Sequence, residues 1–270
     1  MNIDVKDVRQ VFSLRNGSEV VALEGFSHRF KSGQFTCILG PSGCGKSTLA
    51  QIVGGIEPAT QGSVKIESED RSSAPVPLGS DSVMVWQNQN LFPWRTILEN
   101  VTFGLQMAGV SRAEREQKAT RLINSVGLRG FEKHFPSQLS GGMRQRAALA
   151  RALIMDRPIL LMDEPFGALD AQTKIVMQEE LLKIFEETRK TVIFVTHSID
   201  EAILLGDQVI VMTARPGKIK EVITVDLPRP RSFDLVNTPD FGRLFDKAFH
   251  LIRDEVTKAM AEMNLVGAPS

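Results

Sequence analysis

Gly40-Pro41-Ser42-Gly43-Cys44-Gly45-Lys46-Ser47 decides the fold of this 270-residue chain. The octet fits G-x-x-x-x-G-K-[ST]. An apolar run at 34–39 leads into it, and an apolar helix beginning near Leu49 leaves it, which is the strand–loop–helix setting such a loop requires. Glycine is needed because main-chain N–H groups must wrap closely around phosphate oxygens, where a Cβ obstructs both the dihedrals and the approach. Lys46 is placed to neutralise β- and γ-phosphates, Ser47 offers a hydroxyl to Mg²⁺, and Thr48 follows on a helix whose N-terminus faces the anion.

Outward from the octet, short runs at 34–39, 82–86, 158–162, 191–195 and 208–212 are apolar without polar alternation, as strands are when both faces of a parallel sheet are covered. Helix-face spacing lies between them, at Met143, Ala147, Ala150 and Ile154 and at Ile175, Leu182 and Phe185. The alternation predicts α/β architecture. Residues 67–81 are polar and contain two prolines, which predicts a surface loop. From 88 to 135 the text turns helical, with Glu114 and Lys118 at i,i+4. After Pro228-Arg229-Pro230-Arg231, Thr238 caps a final helix with Pro239 at its first position. Phe241, Leu244, Phe245, Ala248, Ile252, Ala259 and Met263 share one face of that helix.

Composition narrows the function classes. Hydrophobic residues make up 42% and charged residues 24%, ordinary values for a folded domain. The 32 basic and 32 acidic side chains cancel, which removes a whole-molecule electrostatic case for nucleic acid. No apolar run exceeds four residues, against the roughly 20 that a membrane helix needs, and the first ten residues lack a signal-peptide core. A cytosolic location is expected. The two cysteines, Cys37 and Cys44, are too few for a disulfide framework and are expected to be reduced thiols.

Two further stretches carry chemistry. The apolar strand at 159–162 ends in Asp163-Glu164, which puts Asp163 within reach of Mg²⁺ through its water shell and Glu164 beside a γ-phosphate. There a carboxylate can hold a water in line and accept its proton, a general-base contribution of about 10²–10⁴ in rate. Leu139-Ser140-Gly141-Gly142-Met143 precedes the helix with the Met143 face, so its exposed N–H groups form a second anion site. The whole helical insertion separates the two phosphate sites. A single γ-phosphate meets both only if the second serves nucleotide bound to another copy.

With these residues in place, the chain resembles the ATP-binding subunit of ABC transporters from about Ile3 to Pro230. The resemblance implies a P-loop NTPase (RecA-like) α/β core with a mainly parallel sheet, an N-terminal antiparallel β subdomain and an inserted helical subdomain. It divides the chain into an ATP-binding domain at 1–230, with core at about 1–87 and 156–230 and helices at about 88–155, and a C-terminal helical extension at 231–270. In that family the LSGG element of one subunit closes over ATP held by the phosphate loop of the other. Phe12 then matches the aromatic that stacks on adenine, Gln87 the glutamine that contacts Mg²⁺ and the attacking water, Asp170 the acid of a loop crossing the dimer interface, and His197 the histidine on the γ-phosphate. Leu139 precedes Asp163 by 24 residues and Glu164 precedes His197 by 33, spacings consistent with the family. Met143 stands where many members carry Gln, and Gly167 where Ser is common. Neither change removes a catalytic group.

The resemblance further implies ATP and Mg²⁺ as ligands, a second ATP-binding subunit, separate transmembrane permease subunits and, indirectly, an external solute-binding protein. It places the chain at the cytoplasmic face of the inner membrane. Leu91-Phe92-Pro93-Trp94-Arg95, the run from Asp163 to Thr173, and Asp226-Leu227-Pro228-Arg229-Pro230-Arg231 look like the importer branch for nitrate, sulfonates and taurine. The roughly 40 residues beyond the core look too short for a regulatory β-domain. Gln89, Leu91, Phe92, Trp94 and Arg95 are candidates for permease docking, although Phe92 and Trp94 could instead fill the gap between insertion and core. Among rival readings, a GTPase lacks its [NT]-K-x-D motif, a kinase has no use for the signature, and a soluble ABC-type ATPase usually carries a long coiled coil or second cassette. An exporter or lipid-transport ATPase is the alternative within the family.

Overall fold

Strands that are apolar on both faces need cover on both faces, and the computed structural model supplies it. It describes residues 1–15, 17–67 and 77–266, with side chains through 259. Most of the loop expected at 67–81, and Met263 of the last helix face, lie outside the residues and side chains described. A six-stranded sheet runs in the order β5(Ser82–Val85), β6(Ile159–Asp163), β7(Thr191–Thr196), β3(Phe35–Leu39), β8(Gln208–Met212), β9(Ile219–Thr224). All neighbours are parallel except the β8–β9 pair. A three-stranded antiparallel sheet, β2(Glu19–Phe30), β1(Asn2–Ser13), β4(Gln61–Glu67), covers one side.

Within each central strand, alternate residues enter different cores. Phe35, Cys37 and Leu39, Leu160 and Met162, Val192 and Phe194, Val209 and Val211 join a core with the helices α2(Ile97–Met107), α3(Arg112–Ser125), α4(Gly141–Leu153), α5(Ala171–Thr188), α6(Ile199–Leu205) and α7(Pro239–Val266). Ile38, Leu161, Ile193, Val195 and Ile210 point the other way, into a core shared with α1(Lys46–Val53) and the antiparallel sheet. The Phe35 ring meets Phe185 edge-on at 5.3 Å, and Phe194 lies 5.6 Å from Phe166. Each fully buried aromatic or aliphatic side chain of this kind contributes about 1.5–3 kcal/mol.

The central strands match the runs read from sequence to within one residue at each end. The helical stretch at 88–135 contains α2 and α3. Thr96 and Glu99 form a capping box at the start of α2, and the Lys118–Glu114 ion pair spans 2.8 Å on α3. Thr238 Oγ1 accepts the Phe241 N–H at 3.4 Å, and Phe241, Leu244 and Ala248 are buried. Arg231 is buried in the stretch leading to α7, donating to carbonyls of Ile203, Leu204 and Gly206 at the end of α6. Desolvation, then the neighbouring Arg229, brings its pKa down to about 10, so the side chain stays charged at neutral pH. Both cysteines are free and buried, and burial pushes both thiols up. Among the described residues, no helix is long and apolar enough to cross a membrane.

Candidate nucleotide site

Parallel register sets the site. Leu39 pairs with Thr196, Asp163 with Val195 and Val85 with Met162, so the carboxyl ends of β3, β6, β7 and β5 finish at one edge. The residues that follow them, Gly40, Glu164, His197 and Gln87, converge there, outside the strand ends where open α/β sheets hold ligands. A cavity of about 450 Å³ opens at this edge. Phe12, Val20, Ala22, Ser42, Gly43, Gly45, Lys46, Ser47, Thr48, Gln87, Glu164, His197 and Arg215 line it.

The phosphate loop has the shape its glycines allow. Gly43 has φ +75 and Gly45 φ +102, and a Cβ on Gly45 meets the Ala22 carbonyl at 2.7 Å. Lys46 is 5% exposed, and its ammonium donates to the carbonyls of Gly40 (2.8 Å) and Pro41 (2.9 Å). Those two residues shape the loop without lining the cavity. Cys44 is buried and, like them, does not line the cavity, its N–H donating to Pro41 O at 3.4 Å. Ser47 Oγ donates to Asp163 Oδ1 at 2.8 Å. Burial raises the Asp163 carboxyl above its ordinary range, with the Ser47 hydroxyl opposing it. The pair is a set of hard oxygens suited to Mg²⁺, with Ser47 and the Gln87 amide lining the cavity and Asp163 buried behind Ser47. Among the described residues, no cluster of three His, Cys, Asp or Glu side chains competes for a metal.

Glu164 has φ +46, a conformation few non-glycine residues hold, and its N–H donates to Val195 O at 3.0 Å. Its Oε2 accepts from Gln87 Nε2 at 3.2 Å and lies 3.3 Å from His197 Nδ1. A network behind His197 fixes its loop. Thr196 Oγ1 donates to Glu201 and accepts from the Ser198 N–H (3.0 Å), while Glu201, buried, pairs with Lys174 of α5 at 2.7 Å. Phe12 is 37% exposed at the cavity mouth and pairs across strands with Val20, a flat apolar surface for a ring to rest on.

Ser140, Gly141, Gly142 and Asp170 do not line this cavity. Ser140 caps α4, its side chain accepting from Met143 N at 3.3 Å, and Asp170 caps α5. The Thr173 N–H on Asp170 Oδ1 (3.0 Å) holds that exposed carboxyl below its ordinary value. Met143 packs partly buried against the helical core, and a Cβ at Gly167 meets nothing closer than Glu164 O at 3.5 Å.

Two arginines absent from the sequence reading hold main chain near the site. Arg215 Nε and Nη2 donate to Gly43 O at 3.1 and 2.9 Å. Arg151 of α4 donates to Gln89 O (3.0 Å) and Asn90 O (2.7 Å), tying the segment after Gln87 to the helix that Ser140 caps. The next stretch divides the docking candidates. Phe92 is half-buried, 4.7 Å from Phe103, with Arg95 over the Phe103 ring at 4.8 Å, whereas Trp94 is 72% exposed. Phe92 packs within the helical insertion, and Trp94 stands in the open.

The sequence model for "ABC transporter" matches residues 23–167. The chain is 44% identical over 260 residues to an uncharacterised ABC transporter ATP-binding protein of Methanocaldococcus jannaschii, covering 96% of this chain and 94% of that protein. It is 38% identical over 264 residues to the nitrate import ATP-binding protein NrtD of Synechocystis sp., covering 96% and 97%. Among solved structures, the dimeric structure of MJ0796, a bacterial ABC transporter cassette, superposes with TM-score 0.74 at 34% identity. The match covers 84% of this chain and all of that one. A post-hydrolysis state of the same cassette bound to ADP and Pi also scores 0.74, at 32% identity and the same coverage.

Proposed function

The chain belongs to the ABC transporter family, and from that premise we propose that this ATP hydrolase works as a dimer that powers a membrane importer of nitrate, a sulfonate, taurine or a related small solute. One observation carries the dimer. The N-terminus of α4, with Ser140, Gly141 and Gly142, lies outside the cavity that contains Lys46 and Glu164. A second copy, or a close relative, brings that N-terminus and Asp170 to the exposed side of the nucleotide.

In this reading Phe12 stacks on adenine, and main-chain N–H groups of 42–48 surround the phosphates. Lys46 leaves the Gly40 and Pro41 carbonyls for the β- and γ-phosphate oxygens. Ser47, Asp163 and Gln87 hold Mg²⁺, which supplies charge neutralisation along the triphosphate when bound. Water attacks the γ-phosphorus in line and its proton passes to Glu164, while the bond from that phosphorus to the β–γ bridging oxygen breaks. His197, Lys46 and the signature N–H groups stabilise the charge spread over the γ-oxygens. Closure of the dimer transmits force through the 88–96 segment, where exposed Trp94 meets separate permease subunits at the cytoplasmic face of the membrane. A solute-binding protein delivers cargo on the far side. The importer branch rests on likeness to NrtD along nearly the whole of both chains.

The test is transport. The chain is co-purified with a candidate permease, reconstituted in vesicles, and supplied with labelled nitrate, taurine or an alkanesulfonate. Solute gathering on the side that holds ATP supports import. ATP-driven loss of solute from that side overturns it.

A further inference from the structure

Arg215 sits on the strap 213–218 between β8 and β9, and both ends of this strap are fastened. At one end Gly217 N donates to Ala22 O (2.9 Å) and Gly217 O accepts from Glu24 N (3.1 Å), attaching the strap to β2 where Ala22 walls the cavity. The turn is closed internally by Thr213, whose N–H donates to Lys218 O at 2.9 Å and whose hydroxyl accepts the Lys218 N–H at 3.0 Å and donates to Pro216 O at 2.9 Å. At the other end the Ala214 N–H donates to Glu255 Oε2 of α7 at 3.0 Å. Glu255 is 3% exposed and is held by Lys220 of β9 (2.9 Å) and Lys258 of α7 (3.3 Å). A continuous chain of contacts therefore runs from the C-terminal helix through Ala214 and Arg215 to Gly43 of the phosphate loop.

The last contact matters because the peptide unit is planar. A guanidinium holding the Gly43 carbonyl through two donors fixes the orientation of the Gly43–Cys44 peptide, whose N–H closes the loop on Pro41 O at 3.4 Å, and with it the turn that presents Ser42, Gly43 and Gly45 to the cavity. Gly43 sits at φ +75, where a glycine backbone is otherwise free to turn. Arg215 and Lys46 are also the permanently cationic side chains among the described residues lining the cavity.

We propose that Arg215 is a positioning residue for the phosphate loop, and that Glu255 on α7 sets Arg215 through the Ala214 N–H, so that the seating of the C-terminal helix tunes ATP affinity. The inference rests on the nucleotide reading of the 40–48 loop. A charge-assisted bond of this kind accounts for roughly tenfold in an equilibrium constant.

The full-length protein is assayed for ATP binding and for KM and kcat of hydrolysis, alongside its melting temperature without nucleotide. Arg215→Ala is expected to weaken ATP binding and raise KM about tenfold with kcat within about threefold of wild type. Arg215→Lys, which cannot offer the two-donor fork, falls between. Glu255→Ala shifts KM in the same direction, and Glu255→Gln, which keeps an acceptor for the Ala214 N–H, shifts it less. The Arg215→Ala, Glu255→Ala double variant matches Arg215→Ala alone, because both act through one contact. Unchanged KM in Arg215→Ala overturns the proposal, as do fully additive effects in the double variant or a melting-temperature loss with no change in KM. Lys46→Ala separates the two levels. If it binds ATP undiminished, the nucleotide reading itself fails, whereas weak binding in Lys46→Ala with normal binding in Arg215→Ala removes only the role of Arg215.

Discussion

Ser47 Oγ donates to Asp163 Oδ1 at 2.8 Å, joining the first residue after the phosphate-loop lysine to the last residue of β6 across 116 positions of sequence. On the reading proposed above, this hydroxyl and carboxylate would help to hold Mg²⁺, the carboxylate through the water shell of the ion. Asp163→Asn should therefore raise the Mg²⁺ concentration for half-maximal ATPase activity by at least tenfold while leaving nucleotide binding in EDTA within about twofold. Metal titration of the two activities checks it, and equal losses with and without Mg²⁺ contradict the metal role.

Glu164 touches both Gln87 and His197 from a left-handed backbone that its N–H bond to Val195 O holds in place. Glu164→Gln keeps the side-chain volume and removes the proton acceptor. Turnover should drop about 10²–10⁴-fold with ATP binding retained. Steady-state hydrolysis and equilibrium binding, measured on the same preparation, decide it, since turnover at the wild-type rate takes the base role away from Glu164.

Much of this site was legible in the sequence, for a physical reason. Strands covered on both faces read as unbroken apolar runs, and a loop that wraps phosphate demands glycines and a lysine at fixed spacing. The antiparallel sheet was expected from the resemblance alone. Its β1 is interrupted by register shifts between Val5 and Val8, Val8 and Gln10, and Gln10 and Val11, which break the period-two pattern that marks a half-buried strand. Arg215, Arg151 and Glu255 left no trace either. The contacts that matter here go to the carbonyls of Gly43, Gln89 and Asn90 and the amide of Ala214, main-chain atoms that no residue type signals. The left-handed backbone of Glu164 is likewise invisible, because glutamate is not a residue from which a positive φ is expected.

Ser140 caps α4 away from the cavity that contains Lys46. Ser140→Arg replaces that cap with a bulky cation at the surface assigned to the opposite nucleotide. The isolated subunit should bind ATP with wild-type affinity, since none of its cavity changes, and ATP-dependent dimerisation of the Glu164→Gln background should be lost. Loss of the cap costs about 1 kcal/mol, a tolerable fraction of domain stability, so the variant should fold. Light scattering with Mg-ATP that still finds dimers would falsify the shared-site arrangement.

Glu255 links stability to pH through a sign that can be worked out. Burial alone raises its carboxyl, but Lys220, the Ala214 N–H and Lys258 together bring it below its ordinary value of 4.5. Asp254 lies 3.7 Å from the same Lys220, and Glu221 of β9 pairs with Lys247 of α7 at 2.6 Å along the same junction. A carboxyl with a depressed folded value binds fewer protons folded than unfolded, so its contribution is complete above 4.5 and disappears as pH falls through the folded value. Glu255→Gln should thus lower stability at pH 7, by about 2 kcal/mol for leaving Lys220 and its neighbours short of a charged partner. The gap between variant and wild type should close as the buffer is acidified below 4.5. Thermal or urea unfolding at pH 7 and at stepped acidic values measures the difference. A gap that stays constant through the acid range would show that the carboxylate charge contributes nothing to seating α7.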